Sequence, residues 1–345
     1  MKPILFPSDA TSYGMMGYGV INALSCTVSE TLNGEFQLDM KMLNTDPNFV
    51  RMEIGSIIAA KPNQTDPIQA FCVEQITKAL NGEVEIYATH IAQFRTKLIP
   101  VANYTAISLS DAISKALTNS LETNPFSLTT DKTVATSFSL DSPRSFRALL
   151  GGMEGSLLDM YGGEYYYDNF NIQLLNHRGE DNGVRVFYGK NMVDFKADDT
   201  FDWDDSATGV VPFWYTEDDG LVVGDAQYSD NVGVFPYHRT IVKDYTEDFE
   251  NKPSKSDLEA EALTWISSKG FPFSNLAVSF DDLVTDNRGK LIALGDTVQI
   301  INSVYGVNYT SRITRMIFNV LLERYESVEV GNIKKTINEA IKEIS

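Results

Sequence analysis

The sequence predicts a mainly β chain of the α+β, multidomain kind. It would hold two related antiparallel β-barrel-like domains, inserted α/β segments and a C-terminal helix. Three observations predict it: apolar and polar residues alternate between short turn clusters through the first hundred residues, helical spacing appears beyond Pro100, and a strand-and-turn pattern from near the start returns near the end. At 345 residues the chain exceeds what one core ordinarily supports, which favours two or three domains, and 43% hydrophobic against 22% charged residues leaves a sizeable core available.

Taking the elements in order, "EFQLDMKML" (35–43) alternates strictly, and "SIIAAKP", "QAFCVEQITKAL" and "EVEIYATHI" follow, separated by the turn sequences "NQTDP" and "NG". This first β domain spans 1–100. From Ser108 to Asn119 the apolar residues Leu109, Ile113, Ala116 and Leu117 form a helical face, with Ser108 or Ser110 as cap. Phe146, Leu149, Leu150, Met153 and Leu157 form another over 144–160, weakened by Gly151, Gly152 and Gly155. An α/β domain therefore occupies 101–183.

Within it, Glu164–Leu175 and Val184–Tyr188 are aromatic and β-branched runs, and "NHRGEDNG" between them has turn composition, so a hairpin with a solvated loop is expected. His177 would sit at its tip, a poor place for a catalytic imidazole, which needs an orienting partner in a dry site. A β segment (184–245) completes the β domains. Its aspartates, Asp194, Asp198, Asp199, Asp202, Asp204 and Asp205, lack the register of a calcium loop and read as a solvated face, with a weak, shared metal site as the lesser alternative. A small helical segment (246–272) carries "SDLEAEALTWI", with Ser256 as cap and Leu258, Ala262, Leu263 and Ile266 on one side. Strands resume at "NLAVSF" and "DTVQII" in a second β domain, 273–331.

The two ends of the chain resemble each other. "IGSIIAAK" (54–61) matches "LGDTVQII" (294–301), and "VEQITKAL" (73–80) matches "TSRITRMI" (310–317), with Ile76, Thr77 and Lys78 set against Ile313, Thr314 and Arg315. Gly55 to Ile76 is 21 residues and Gly295 to Ile313 is 18, a difference that a surface turn would absorb cheaply. Coincidence between two amphipathic hairpins is the alternative.

With 28 Lys and Arg against 47 Asp and Glu, the net charge of −19 argues against a nucleic-acid-binding surface. No apolar run has the length of a signal peptide or membrane span. Cys26 and Cys72 stand far apart without metal or disulfide spacing, as reduced, buried thiols made in a cytoplasm would. No HExxH, GxSxG, Cys–His signature or phosphate loop appears, and His90 and His238 lie in structural contexts, so no catalytic, metal or cofactor residue is assigned.

"VKDYTEDFENKPSKSDLEAEALTWI", "IALGDTVQIIN" and "SRITRMIFNVLLERYESVEVGN", together with "YGGEYYYDNFNIQLLNHRG", "VFYGKN" and "GVVPFWY", resemble the N-terminal structural region of the prophage endopeptidase tail, or tail-associated lysin, family of phage tail hub proteins. The similarity runs from about Leu149 to Gly331 and rests on the order of strand-and-turn patterns. It implies a virion protein of the tail tip, assembled in the host bacterial cytoplasm: a homotrimeric baseplate hub whose duplicated tube domains close the distal end of the tail tube. Distal tail and tail tube proteins would be its partners, DNA would cross it only as passing cargo, and no membrane is involved. Longer family members continue into a peptidoglycan-degrading region, which this sequence does not contain, so no enzyme activity and no cofactor is expected.

The segment 332–345 places Ile333, Ile337, Ala340 and Ile344 at spacings of 4, 3 and 4, which fits either a trimerising seam or an amphipathic helix folded back on its own domain. Two other function classes stand beside the hub. One is a peptidoglycan hydrolase with its site in 101–180; the other is a host-surface carbohydrate-binding module using Tyr161, Tyr165, Tyr166 and Tyr167.

Overall fold

A computed structural model describes residues 2–14, 17–187, 192–200, 207–229, 238–249, 251–269, 273–280, 291–304 and 307–331. The chain divides into two compact units, one formed by Met1–Lys196 with Ala277–Ser345 and the other by Ala197–Leu276. It is mainly β, in several sheets.

The first unit is organised by one large sheet. Phe36–Leu43 alternates as read from the sequence, burying Phe36, Leu38, Met40 and Met42, exposing Asp39 and Lys41 and leaving Gln37 half-buried. It pairs antiparallel with Ala23–Thr31 across a turn in which Asn33 takes φ 55°, and on its other edge with Glu83–His90. Gln69–Lys78, Ile57–Ala60 and Ile4–Phe6 follow in turn, all antiparallel. In the opposite direction Ala23–Thr31 pairs with Val307–Asn319, beyond which lie Arg324–Val330, Phe273–Phe280 and Met192–Thr200. Among the described residues the strands follow one continuous path. The mainly β, multidomain class holds, and the barrel-like closure expected of each β domain is corrected: hydrogen bonding among those residues runs from one strand set into the other and closes no barrel.

Leu109–Thr118 is the expected helix, and the Ser108 hydroxyl accepts a hydrogen bond from the Asp111 amide at 3.3 Å. The helical face over 144–160 is two short helices, Phe146–Leu150 and Leu157–Tyr161. Gly152 and Gly155 interrupt them at φ 87° and 69°, values that favour glycine.

The hairpin expected around "NHRGEDNG" is not formed. Glu164–Asp168 folds back on Asn171–Leu175 through Asn169, at φ 52°, and Val184–Phe187 runs parallel to Thr297–Asn302 instead. Turn composition was correct, but the partner strand lies more than a hundred residues away.

In the second unit Gly209–Thr216 is the centre of a four-stranded sheet, flanked by Gly220–Val223, Gln227–Tyr228 and the parallel Thr240–Asp244. Leu258, Ala262 and Ile266 of helix Lys255–Lys269 form one core with Val210, Trp214 and Tyr245. A division between 245 and 246 would cut that core, so both segments belong to one unit.

Candidate functional site

The two strand sets share more than composition. Gly55 and Gly295 take φ 89° and 90°. The Gly55 amide donates to the Val73 carbonyl at 2.8 Å and the Gly295 amide to the Ile313 carbonyl at 2.9 Å; in return Val73 donates to Ser56 and Ile313 to Asp296, both at 2.8 Å. Ile57 then faces Cys72 as Thr297 faces Arg312. The ladder beyond shifts register between Val73 and Gln75 in one set and between Ile313 and Arg315 in the other. These counterparts all stand 240 residues apart. A turn with the same hydrogen bonds and a bulge at the same place is far more specific than shared alternation.

The hydrogen bonds thus align Ile313 with Val73, and the sequence equivalence of Ile76 with Ile313 is displaced by three residues. The 18-residue interval is common to both sets once Val73 replaces Ile76. Ile76, Thr77 and Lys78 face Ile86, Glu85 and Val84. Ile313 is buried opposite Val330, Thr314 occupies the bulge, and Arg315 faces Glu329. The sheet order also repeats: Ala23–Thr31, Phe36–Leu43, Glu83–His90, Gln69–Lys78 and Ile57–Ala60 have as counterparts Met192–Thr200, Phe273–Phe280, Arg324–Val330, Val307–Asn319 and Thr297–Asn302. Ile333, Ile337, Ala340 and Ile344 lie outside the described residues.

The sets meet where Thr27–Thr31 pairs with Arg315–Asn319. The Leu32 amide donates to the Thr314 bulge carbonyl at 2.9 Å, and Arg315 binds Glu35 at 2.9 Å and Glu329 at 3.1 Å. In the other set the corresponding edge, Gln75–Lys78, has no strand beside it among the described residues, and Gln75, Thr77 and Lys78 are exposed. Met192–Thr200, counterpart of Ala23–Thr31, ends the strand path.

Behind this junction lies a buried polar network. Arg178 is 6% exposed; its Nη1 donates to Glu30 Oε1 at 2.7 Å and to the Tyr165 carbonyl at 3.2 Å, while its amide donates to Glu164 Oε2 at 2.5 Å. Arg312 grips both Glu164 oxygens, at 2.7 and 2.8 Å, and also donates to the carbonyls of Arg178 and Gly295. Burial would push the Glu164 carboxyl up, but these donors outweigh it and hold it below its usual range. At Glu30 burial wins and raises the carboxyl, offset in part by Arg178. His177 beside them is exposed. The structural weight of "NHRGEDNG" thus falls on Arg178, which composition does not distinguish from a surface arginine.

The inserted hairpin is also fastened to the first set. Asn33 donates to the Gly163 carbonyl and accepts from the Tyr165 amide, both at 2.9 Å. Asn169 accepts from the Ala70 amide and donates to the Ile68 carbonyl, again at 2.9 Å. Tyr161, Tyr165 and Tyr167 are buried and Tyr166 half-buried, its ring lying under the Arg178 guanidinium at 5.0 Å, so the tyrosine strand is packing rather than an open aromatic platform.

No family model and no curated protein matches the sequence. Solved structures do. The prophage tail protein gp18 from Listeria monocytogenes EGD-e aligns with a TM-score of 0.60 at 15% identity, over 100% of this chain and 98% of that one. A tail protein from Neisseria meningitidis MC58 aligns at 0.60 and 10%, over 98% of each. The 43 kDa tail protein of prophage MuSo2 from Shewanella oneidensis aligns at 0.64 and 11%, over 96% and 98%. This chain has the fold of these tail proteins. At such identities the likeness extends to the fold and does not single out the endopeptidase tail family.

Proposed function

We propose that this chain is a structural subunit of a phage tail, a baseplate hub protein. Three copies would form a ring that closes the distal end of the tail tube and lets DNA pass. The observation that carries this is the open counterpart of the internal junction. Among the described residues each chain has one junction made, Thr27–Thr31 on Arg315–Asn319, and the halves of a second left open, the uncovered edge of Gln75–Lys78 and the strand Met192–Thr200 that ends the path. Joining those halves between neighbours repeats the internal junction, and a head-to-tail contact of this kind closes into a ring. Three chains would then present six similar strand sets to a sixfold tube. The acidic balance, net −19, suits a passage that must release phosphates rather than hold them. No catalytic step is assigned.

The test is the mass of the purified chain at micromolar concentration with particle images, combined with hydrogen exchange over 75–78. Three-chain rings with slow exchange at those amides are expected. A monomer at every concentration, or rings in which 75–78 still exchange freely, would overturn this function.

A further inference from the structure

The sheet of the second unit has two unlike faces. Val210 and Trp214 point toward helix Lys255–Lys269, as do their lateral neighbours Val222 and Ile241. By alternation the opposite face carries Val211, Phe213 and Tyr215, and the register sets Val242 beside Val211, Val223 beside Phe213 and Leu221 beside Tyr215. Tyr215, Leu221, Val223 and Val242 are 50%, 60%, 47% and 68% exposed. Gly209 extends this face: a Cβ there would meet the Tyr228 ring at 2.8 Å, so glycine makes room for an aromatic ring that is itself half in solvent. A contiguous apolar sheet face in water marks an interaction surface.

Charge identifies the occupant. Of the 47 acidic residues 17 fall within 197–276, against only 5 of the 28 basic ones, so this unit carries −12 of the chain's −19. Exposed Glu217, Asp218 and Asp219 form the turn between Tyr215 and Leu221, and Asp244 sits beside Phe213 on the open face. Two such units would repel each other across a shared face, and a nucleic-acid backbone would be repelled as well. The complementary surface has an apolar centre inside a rim of Lys and Arg.

We propose that the open face of the second unit, centred on Tyr215, Leu221 and Val242, docks a different protein that presents such a basic-rimmed apolar patch. The proposal goes beyond the ring function and does not require it, since these residues take no part in the strand junctions.

The test places a photo-reactive amino acid at Leu221 or Val242 of the full chain in cells producing the phage, and identifies the joined peptide by mass spectrometry. The expected adduct joins a different protein at an apolar residue flanked by Lys or Arg. Its yield should fall with added salt and by about tenfold on adding Tyr215→Asp. An adduct to a second copy of this chain, an acidic partner peptide, an adduct indifferent to salt, or no adduct in cells that assemble complete tails would each overturn it. Thermal unfolding of the Tyr215→Asp chain separates lost docking from lost folding: an unchanged midpoint is expected at so exposed a position. If Tyr215→Asp lowers it, Val242→Asp replaces that variant. Failure of the three-chain ring in solution leaves the crosslink result standing, and the reverse holds too.

Discussion

Gly179 lies directly against Gly295. A Cβ on Gly179 would collide with the Gly295 carbonyl carbon and the Asp296 amide nitrogen, and one on Gly295 would stand 2.5 Å from the Arg178 carbonyl oxygen; both residues have positive φ, 72° and 90°. This contact fastens the loop carrying Arg178 to the turn that starts the second strand set. Gly295→Ala should therefore cost about 3 kcal/mol or more, adding steric overlap to backbone strain. Gly55→Ala, at the equivalent turn, has only the Ser8 Cβ at 3.7 Å as neighbour, so about 1 kcal/mol from strain is expected. Equal losses in chemical denaturation would contradict the close packing.

Removing Arg178 should leave Glu30 buried without its partner. Arg178→Met is expected to lose about 3–5 kcal/mol in denaturant unfolding. Adding Glu30→Gln should recover part of the loss, because an uncharged amide tolerates that site better than a lone carboxylate. A double variant less stable than the single one would argue against the pairing at 2.7 Å.

His90 gives a pH signature. It is fully buried, stacked on Phe36 at 4.5 Å, accepts from the Ala92 amide through Nδ1 and donates through Nε2 to Gln69 at 3.0 Å; burial lowers its pKa to about 3. The unfolded imidazole titrates near about 6.5, so between these values the unfolded chain binds more protons. Its stabilising contribution is complete above that upper value and falls by about 1.4 kcal/mol per pH unit as pH drops toward 3. Unfolding measured between pH 6.5 and 5 samples this slope, and because the raised Glu30 carboxyl can add one of opposite sign, the difference from a His90 variant isolates it. His90→Asn, which can still accept from Ala92, should flatten that slope whatever it does to the baseline.

Burial pushes the Cys26 thiol up to about 12 and the Cys72 thiol up to about 11. Neither should react with a thiol reagent at pH 8 in the native chain, and both should react in denaturant. Rapid labelling of one thiol under native conditions would show that its strand opens.

Local signals were legible where local contacts decide structure. The alternation of 35–43 and the spacing of 109–117 each became the element that their period predicts. Long-range pairing was not. Val184–Phe187 finds its partner at Thr297–Asn302, and no period within either segment encodes that distance. The match of Ile76-Thr77-Lys78 to Ile313-Thr314-Arg315 followed side-chain identity, whereas the structure aligns the sets by a glycine turn and a bulge, which depend on backbone geometry and tolerate Val73 in place of Ile313. Arg178 reads from the sequence as part of a solvated loop, because burial of a charge depends on partners as distant as Glu30 and Arg312.

Between Ala23–Thr31 and Phe36–Leu43 the chain needs only Leu32–Glu35 to reverse direction, whereas between their counterparts, Met192–Thr200 and Phe273–Phe280, it spends residues 201–272, most of the second unit. A closed trio would consequently bear its large acidic ornaments at alternate seats only. Such a ring would combine sixfold likeness of its strand sets with only threefold repetition of the second unit, giving attachments of lower symmetry a way to tell neighbouring positions apart.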